Sequence, residues 1–209
     1  FLRKKIDQFR SIDTLKDSIV HVKVPREDSS KHIVTYAEYV YQTARVVNNS
    51  TNASDNYITI NRGSQDGIRK NMAVISGTGI VGRVEHVSAH FASILSVLSA
   101  KIKVSAKLKN GTNGFVIWDE KGPDILMMTD VPQQDTVKKG DSIYTNSFSY
   151  FPPDVLIGTV IKTEVDKKKN MKLIYLLSST NFHNLQYVYV VDNKMAIEKK
   201  LLEDSSSKK

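Results

Sequence analysis

Lys101-Ile102-Lys103-Val104-Ser105-Ala106-Lys107-Leu108-Lys109 alternates apolar side chains with lysines. Successive side chains of a β-strand point to opposite faces, so Ile102, Val104, Ala106 and Leu108 share one face. Lys101, Lys103, Lys107 and Lys109 share the other, the pattern of a strand packed on a core on one side and wetted on the other. A helix, with 3.6 residues per turn, would scatter both sets around its axis. The lysine face could dock something acidic; the simpler reading is that it keeps a strand soluble and blunts an edge.

The same texture extends outward from this stretch. Strand-like segments fall at 33–47, 57–61, 72–76, 79–87, 92–98, 114–118, 124–129, 155–165, 171–177 and 187–191. Turn signals divide them: Asp66-Gly67, Ser76-Gly77, Asn110-Gly111, Lys121-Gly122-Pro123, Lys139-Gly140-Asp141 and Phe151-Pro152-Pro153. A polar loop covers residues 48–56. Composition agrees, with 22 Val and 18 Ile against 13 Leu and 9 Ala. Branched residues suit pleated surfaces, whereas Leu and Ala suit helices. Short strands at this spacing, without helical stretches between them, predict antiparallel barrels or sandwiches. They are too many for one small barrel. The expectation is a mainly β protein of two small barrel-like domains, residues 33–109 and 110–193, with the last strand available to the first domain. The segment after Phe151-Pro152-Pro153 reads as a central strand buried on much of both faces, with Gly158 where another backbone comes close.

Residues 1–24 read differently. Leu2, Ile6, Phe9, Ile12, Leu15 and Ile19 are spaced by three and four, one apolar stripe along a helix. A helix of this length is marginal alone, so the stripe needs a mate, either the chain's own β domain or a second copy in a coiled coil. Residues 25–32, opening with Pro25, read as a linker, and residues 194–209 as a frayed or disordered tail.

The formal charge is +8, but only seven of the 30 basic residues are arginine. Arginine is the better reader of phosphates and base edges, and no aromatics are interleaved with the basic clusters. Nucleic-acid binding is therefore not expected. No apolar run approaches the roughly 20 residues of a membrane span. The chain starts at Phe1, so a preceding anchor or signal could have been lost. With no cysteine, disulfide scaffolds, thiolate metal sites and thiol nucleophiles are excluded.

Three motifs invite chemistry and each has a plainer reading. His86 and His90 are four apart, the chelating spacing of a helix, but they sit in strand text, where such positions lie about 13 Å apart. Gly140-Asp141-Ser142 resembles the nucleophile segment of chymotrypsin-like proteases. Ile143 and Tyr144 then stand where that family has glycines shaping the oxyanion hole. Lys138–Asp141 reads equally as a hairpin turn. Gly77-Thr78-Gly79-Ile80-Val81-Gly82 spells G-x-G-x-x-G, yet strand alternation follows it rather than the helix a dinucleotide needs. A turn with close backbone packing is preferred. No metal, cofactor or catalytic residue is expected. A two-barrel serine hydrolase and a lysine-rich module for an anionic polymer stand as alternatives.

From residue 43 to 193 the chain resembles the rod shape-determining MreC family. The text that carries the likeness begins with Asn61, Gly63, Asp66 and Gly67 in Ile60–Ile68, and Gly79 and Gly82 in Gly79–Val84. It continues with Gly140 and Asp141 in Lys139–Thr145, Phe151, Pro152 and Gly158 in Phe151–Val160, and the ending Asn181–Val191. The ending and the Asn48-Asn49-Ser50 loop look most like Bacteroidetes members. One departure is visible: Asn146-Ser147 stands where the family usually has Ser-Gly or Asn-Gly. The resemblance implies a non-enzymatic scaffold of cell elongation on the periplasmic face of the inner membrane. It implies a membrane anchor ahead of a coiled coil and two β domains. It further implies self-assembly as a homodimer or more, and contacts with a class B penicillin-binding protein and other membrane members of the complex.

Overall fold

The protein is represented by a computed structural model that describes residues 39–166, 169–195, 202 and 205. The stripe Leu2–Ile19, the 25–32 linker and most of the 194–209 tail lie outside the described residues. Twelve strands make up the described body. They are β1 Tyr39–Asn49, β2 Asp55–Ile60, β3 Ala73–Ile75, β4 Ile80–Val87, β5 Ala92–Ser99 and β6 Val104–Leu108. There follow β7 Asn113–Ile117, β8 Ile125–Pro132, β9 Ser142–Thr145, β10 Leu156–Asp166, β11 Met171–Ser178 and β12 Tyr187–Asn193.

They close into two antiparallel barrels. The first runs β1-β12-β3-β4-β5-β2 and the second β10-β11-β8-β7-β6-β9. Closure leaves no free edge within either ring, which answers the hazard of exposed strand edges without a covering helix. Alternation fills each lumen. Ile58, Ile60, Val84, Ile94, Val188 and Val190 are buried in the first barrel; Val104, Ala106, Leu126, Met128, Ile157, Ile174 and Leu176 are buried in the second. Each Val, Ile, Leu or Met among them contributes about 1.5–3 kcal/mol relative to exposure, and Ala106 less.

Several expectations change. The boundary expected between residues 109 and 110 moves upstream. β6 pairs with β7 and β9, so the alternating stretch belongs to the second barrel, and Asn110-Gly111 is the hairpin turn inside it. The alternation fixes which face of β6 is buried but carries no information on which strands it joins. The short β9 was not foreseen as a strand, and Lys138–Asp141 is not a hairpin turn, because β8 and β9 are not neighbours in the ring. The segment from Val155 is buried along its first half only: Val155, Ile157, Gly158 and Val160 are buried and Leu156 and Thr159 half-buried, while residues 162–165 are exposed. A barrel strand has a lumen face and an outer face, so burial on both is not required. The last strand, β12, lies between β1 and β3 and closes the first barrel.

Candidate functional site

The residues expected to mark the family build turns and close contacts. Asn61 Oδ1 accepts from the Arg45 amide at 2.8 Å. Asp66 accepts from the Gly63 amide at 2.9 Å and from Arg62 at 3.2 Å, and Gly67 ends that 3-10 turn at φ 82°. A Cβ on Gly63 would lie 2.4 Å from the Ser88 carbonyl oxygen, so the turn is pressed onto the β4–β5 connection. On Gly82 it would lie 2.3 Å from the Leu95 carbonyl oxygen. The G-x-G-x-x-G text is thus a hairpin with a close backbone approach. Gly140 turns at φ 94°, and the Asp141 carboxylate accepts from the Lys138 amide at 2.8 Å. Phe151 and Pro152 are buried, and the Pro152 carbonyl accepts from Thr145 Oγ1 at 2.6 Å. At the family departure, Asn146 donates to Asn113 Oδ1 and the Ala106 carbonyl and accepts from the Phe148 amide. Ser147 keeps a negative φ, so no glycine is required there.

The barrels meet at a polar seam formed by the β3–β4 hairpin and the chain after β11. Thr180 Oγ1 donates to the Ile80 carbonyl at 2.8 Å and lies 3.0 Å from Ser76 Oγ. Gly79 is wedged there: a Cβ would stand 2.7 Å from the Leu156 carbonyl oxygen. The Arg83 guanidinium lies 5.6 Å from the centre of the Tyr150 ring. Burial holds that phenol well above its ordinary ionisation range, with the Arg83 charge opposing. Alongside runs a cleft of about 310 Å³, lined by Thr51, Asn52 and Ser54 of the first barrel and Trp118, Glu120 and Pro123 of the second. The Trp118 indole nitrogen donates to the Gly122 carbonyl at 2.8 Å.

The outer surface offers apolar side chains. Phe148 is 81% exposed on the β9–β10 connection, Tyr187 59% and Val47 51%. Arg45 pairs with Tyr187 in the β1–β12 ladder, so Arg45, Val47 and Tyr187 share one outer face. Sequence reasoning missed these positions. Alternation marks the outward face of a strand without saying which outward residues a neighbour covers.

The lysine face of β6 is largely neutralised. Lys101 pairs with Asp55, Lys103 with Asp130 at 3.1 Å and Lys107 with Asp154 at 2.8 Å. Lys70–Glu85, Lys121–Asp119, Lys162–Glu164 and Lys194–Asp192 are further pairs. Hydrogen bonds from Lys101, Lys70 and Lys162 hold Asp55, Glu85 and Glu164 below the usual carboxylate range. Among the described residues no three His, Cys, Asp or Glu side chains gather to hold a metal. His86 and His90 are both exposed, and Ser142, at the start of β9, hydrogen-bonds to no histidine side chain among the described residues.

Two closed six-stranded barrels that meet at a polar seam define a two-barrel β module. The chain belongs to the rod shape-determining protein MreC family, whose barrel-core model matches residues 46–192. It is 30% identical over 148 residues to the cell shape-determining protein MreC of Listeria monocytogenes, covering 68% of this chain and 50% of that protein. The chain thus spans half the length of that relative. A solved MreC structure from Listeria superposes with a TM-score of 0.67 at 24% identity, over 92% of this chain and 86% of that one. A complex between a penicillin-binding protein and MreC from Helicobacter pylori contains the same fold. Its TM-score is 0.59 at 16% identity, over 75% of this chain and 99% of that one. Among the described residues no helix is long and apolar enough to cross a membrane.

Proposed function

We propose that this chain is the periplasmic part of a non-enzymatic scaffold in the bacterial cell-elongation machinery. In this reading it self-associates through Leu2, Ile6, Phe9, Ile12, Leu15 and Ile19 and presents its barrels to a class B penicillin-binding protein. The membrane link is a segment preceding residue 1. Family membership is the observation that carries the reading, joined by a fold relative caught in complex with a penicillin-binding protein. The physical logic is avidity: paired, anchored copies hold weak partners at high effective concentration.

Sedimentation of the chain, alone and with the periplasmic domain of a class B synthase from the same organism, tests both halves. The parent is expected to sediment as a dimer or larger and to carry the synthase with it. Ile6→Asp with Phe9→Asp is expected to give monomers with intact barrels and weaker synthase capture. An unchanged mass for that variant rules out the stripe as the interface. A parent that never co-sediments with the synthase removes the partner assignment.

A further inference from the structure

The lysines are not distributed evenly with respect to their counter-charges. Seven described lysines each hold a carboxylate, as given above. The other five, Lys109, Lys138, Lys139, Lys169 and Lys172, form no ion pair among the described residues. All five fall at one end of the second barrel. Lys109 is in the β6–β7 turn, Lys138 and Lys139 in the β8–β9 connection, and Lys169 and Lys172 at the β10–β11 turn.

These three loops lie side by side. Met171 pairs with Pro132 in the β8–β11 ladder. Asn110 donates to the Thr136 carbonyl at 3.3 Å, and Lys172 donates to the Asp135 carbonyl. The rim's own carboxylates each accept a local hydrogen bond and keep their charge, so the described rim sets five lysines against three carboxylates. Asp135 accepts from Thr112 Oγ1 at 2.9 Å, Asp141 from the Lys138 amide at 2.8 Å and Asp166 from the Lys169 amide at 3.4 Å.

We infer that this rim is a docking surface for a flexible, phosphate-bearing polyanion. Like charges gathered on neighbouring loops repel one another, and a bound polyanion relieves that repulsion while releasing its own counterions. Lysine supplies point charges on flexible stems, suited to a mobile chain rather than to one fixed anion, and the rim has no arginine fork. Protein hot spots are built from Trp, Tyr and Arg, and lysine is depleted at protein interfaces, which disfavours a folded protein partner. The rim is also remote from the chain's entry and exit. β9 and β10 reach the seam at their other ends, while Tyr39 pairs with Asn193 at the end of the first barrel away from the seam.

The test is fluorescence anisotropy of the full chain with labelled short-chain inorganic polyphosphate between 50 and 200 mM salt. Binding is expected, with log affinity falling by about 3–4 per log unit of salt, from roughly 0.7 per lysine contact on a single-stranded polyanion. Lys138→Gln with Lys139→Gln and Lys169→Gln should lose tenfold or more in affinity and about two units of slope. Lys70→Gln with Lys101→Gln and Lys121→Gln removes the same charge from paired sites and should change affinity less than threefold. Equal losses in the two variants would mean that net charge alone binds, and the rim assignment fails. Absence of binding at 50 mM salt also overturns it. So does tighter capture of polyglutamate than of polyphosphate, which gives the rim to acidic protein segments. Binding to phosphatidylglycerol vesicles without binding to free polyphosphate gives the rim to a lipid surface and likewise overturns the inference.

Discussion

Gly158 shows how one residue fixes a strand's neighbour. A Cβ built there would stand 2.4 Å from the Leu177 carbonyl oxygen, which is ladder backbone and cannot move aside. Gly158→Val should therefore cost about 1–3 kcal/mol or more, as over-packing does, and lower the urea midpoint. Lys139→Ala, fully solvated, should stay within about 0.5 kcal/mol. A parental midpoint for Gly158→Val would mean that β10 and β11 do not approach as described. Tyr150 tests the seam. Its hydroxyl is buried without a hydrogen-bond partner among the described residues, an arrangement that stabilises nothing. Tyr150→Phe should leave stability at pH 7 unchanged or raise it by up to about 1 kcal/mol. The folded state disfavours the phenolate, so its pKa is raised above the unfolded value of about 10. Stability is then unaffected below about pH 10 and falls as pH rises beyond it. The Phe variant should lose less between pH 9 and 11. A loss above about 1 kcal/mol at pH 7 would show that the hydroxyl is bonded.

At the scale of elements, β12 is the informative strand. It comes last in the described body yet sits between β1 and β3, so the first barrel cannot close until the second has been traversed. Val188 and Val190 point into that lumen at 0% and 1% exposure. Val188→Asp with Val190→Asp buries two unpaired charges, each costing several kcal/mol. Amides of β1–β5 should lose hydrogen-exchange protection, while β6–β11, closed by their own pairing, keep theirs. Retained protection in β1–β5 would show that the first ring holds without β12. The reading of β6 illustrates the complementary limit. Its alternation made Ile102, Val104, Ala106 and Leu108 legible as an inward face, but the choice between two rings was settled by β7 and β9. β9 itself is four residues long and follows Gly140-Asp141, too short for alternation to register.

Across the whole molecule, the β class, the spacing of most strands, the turns at Gly67, Gly111 and Gly140, and the likeness to the MreC family are legible in the amino-acid order alone. These are local properties: a period of two, a branched side chain and a glycine with positive φ act within a few residues of chain. The seam, the Arg45–Tyr187 outer face and the exposed Phe148 were decided only by tertiary structure, because exposure depends on what packs alongside from distant sequence. Charge is the clearest case. The composition announced +8 and a lysine-rich surface without distinguishing one lysine from another. Ring closure brought Lys103 to Asp130 and Lys107 to Asp154, and left Lys138, Lys139 and Lys169 at the open end of the second barrel. Counter-charge is a contact between residues far apart in the chain, and only the closed barrels create it.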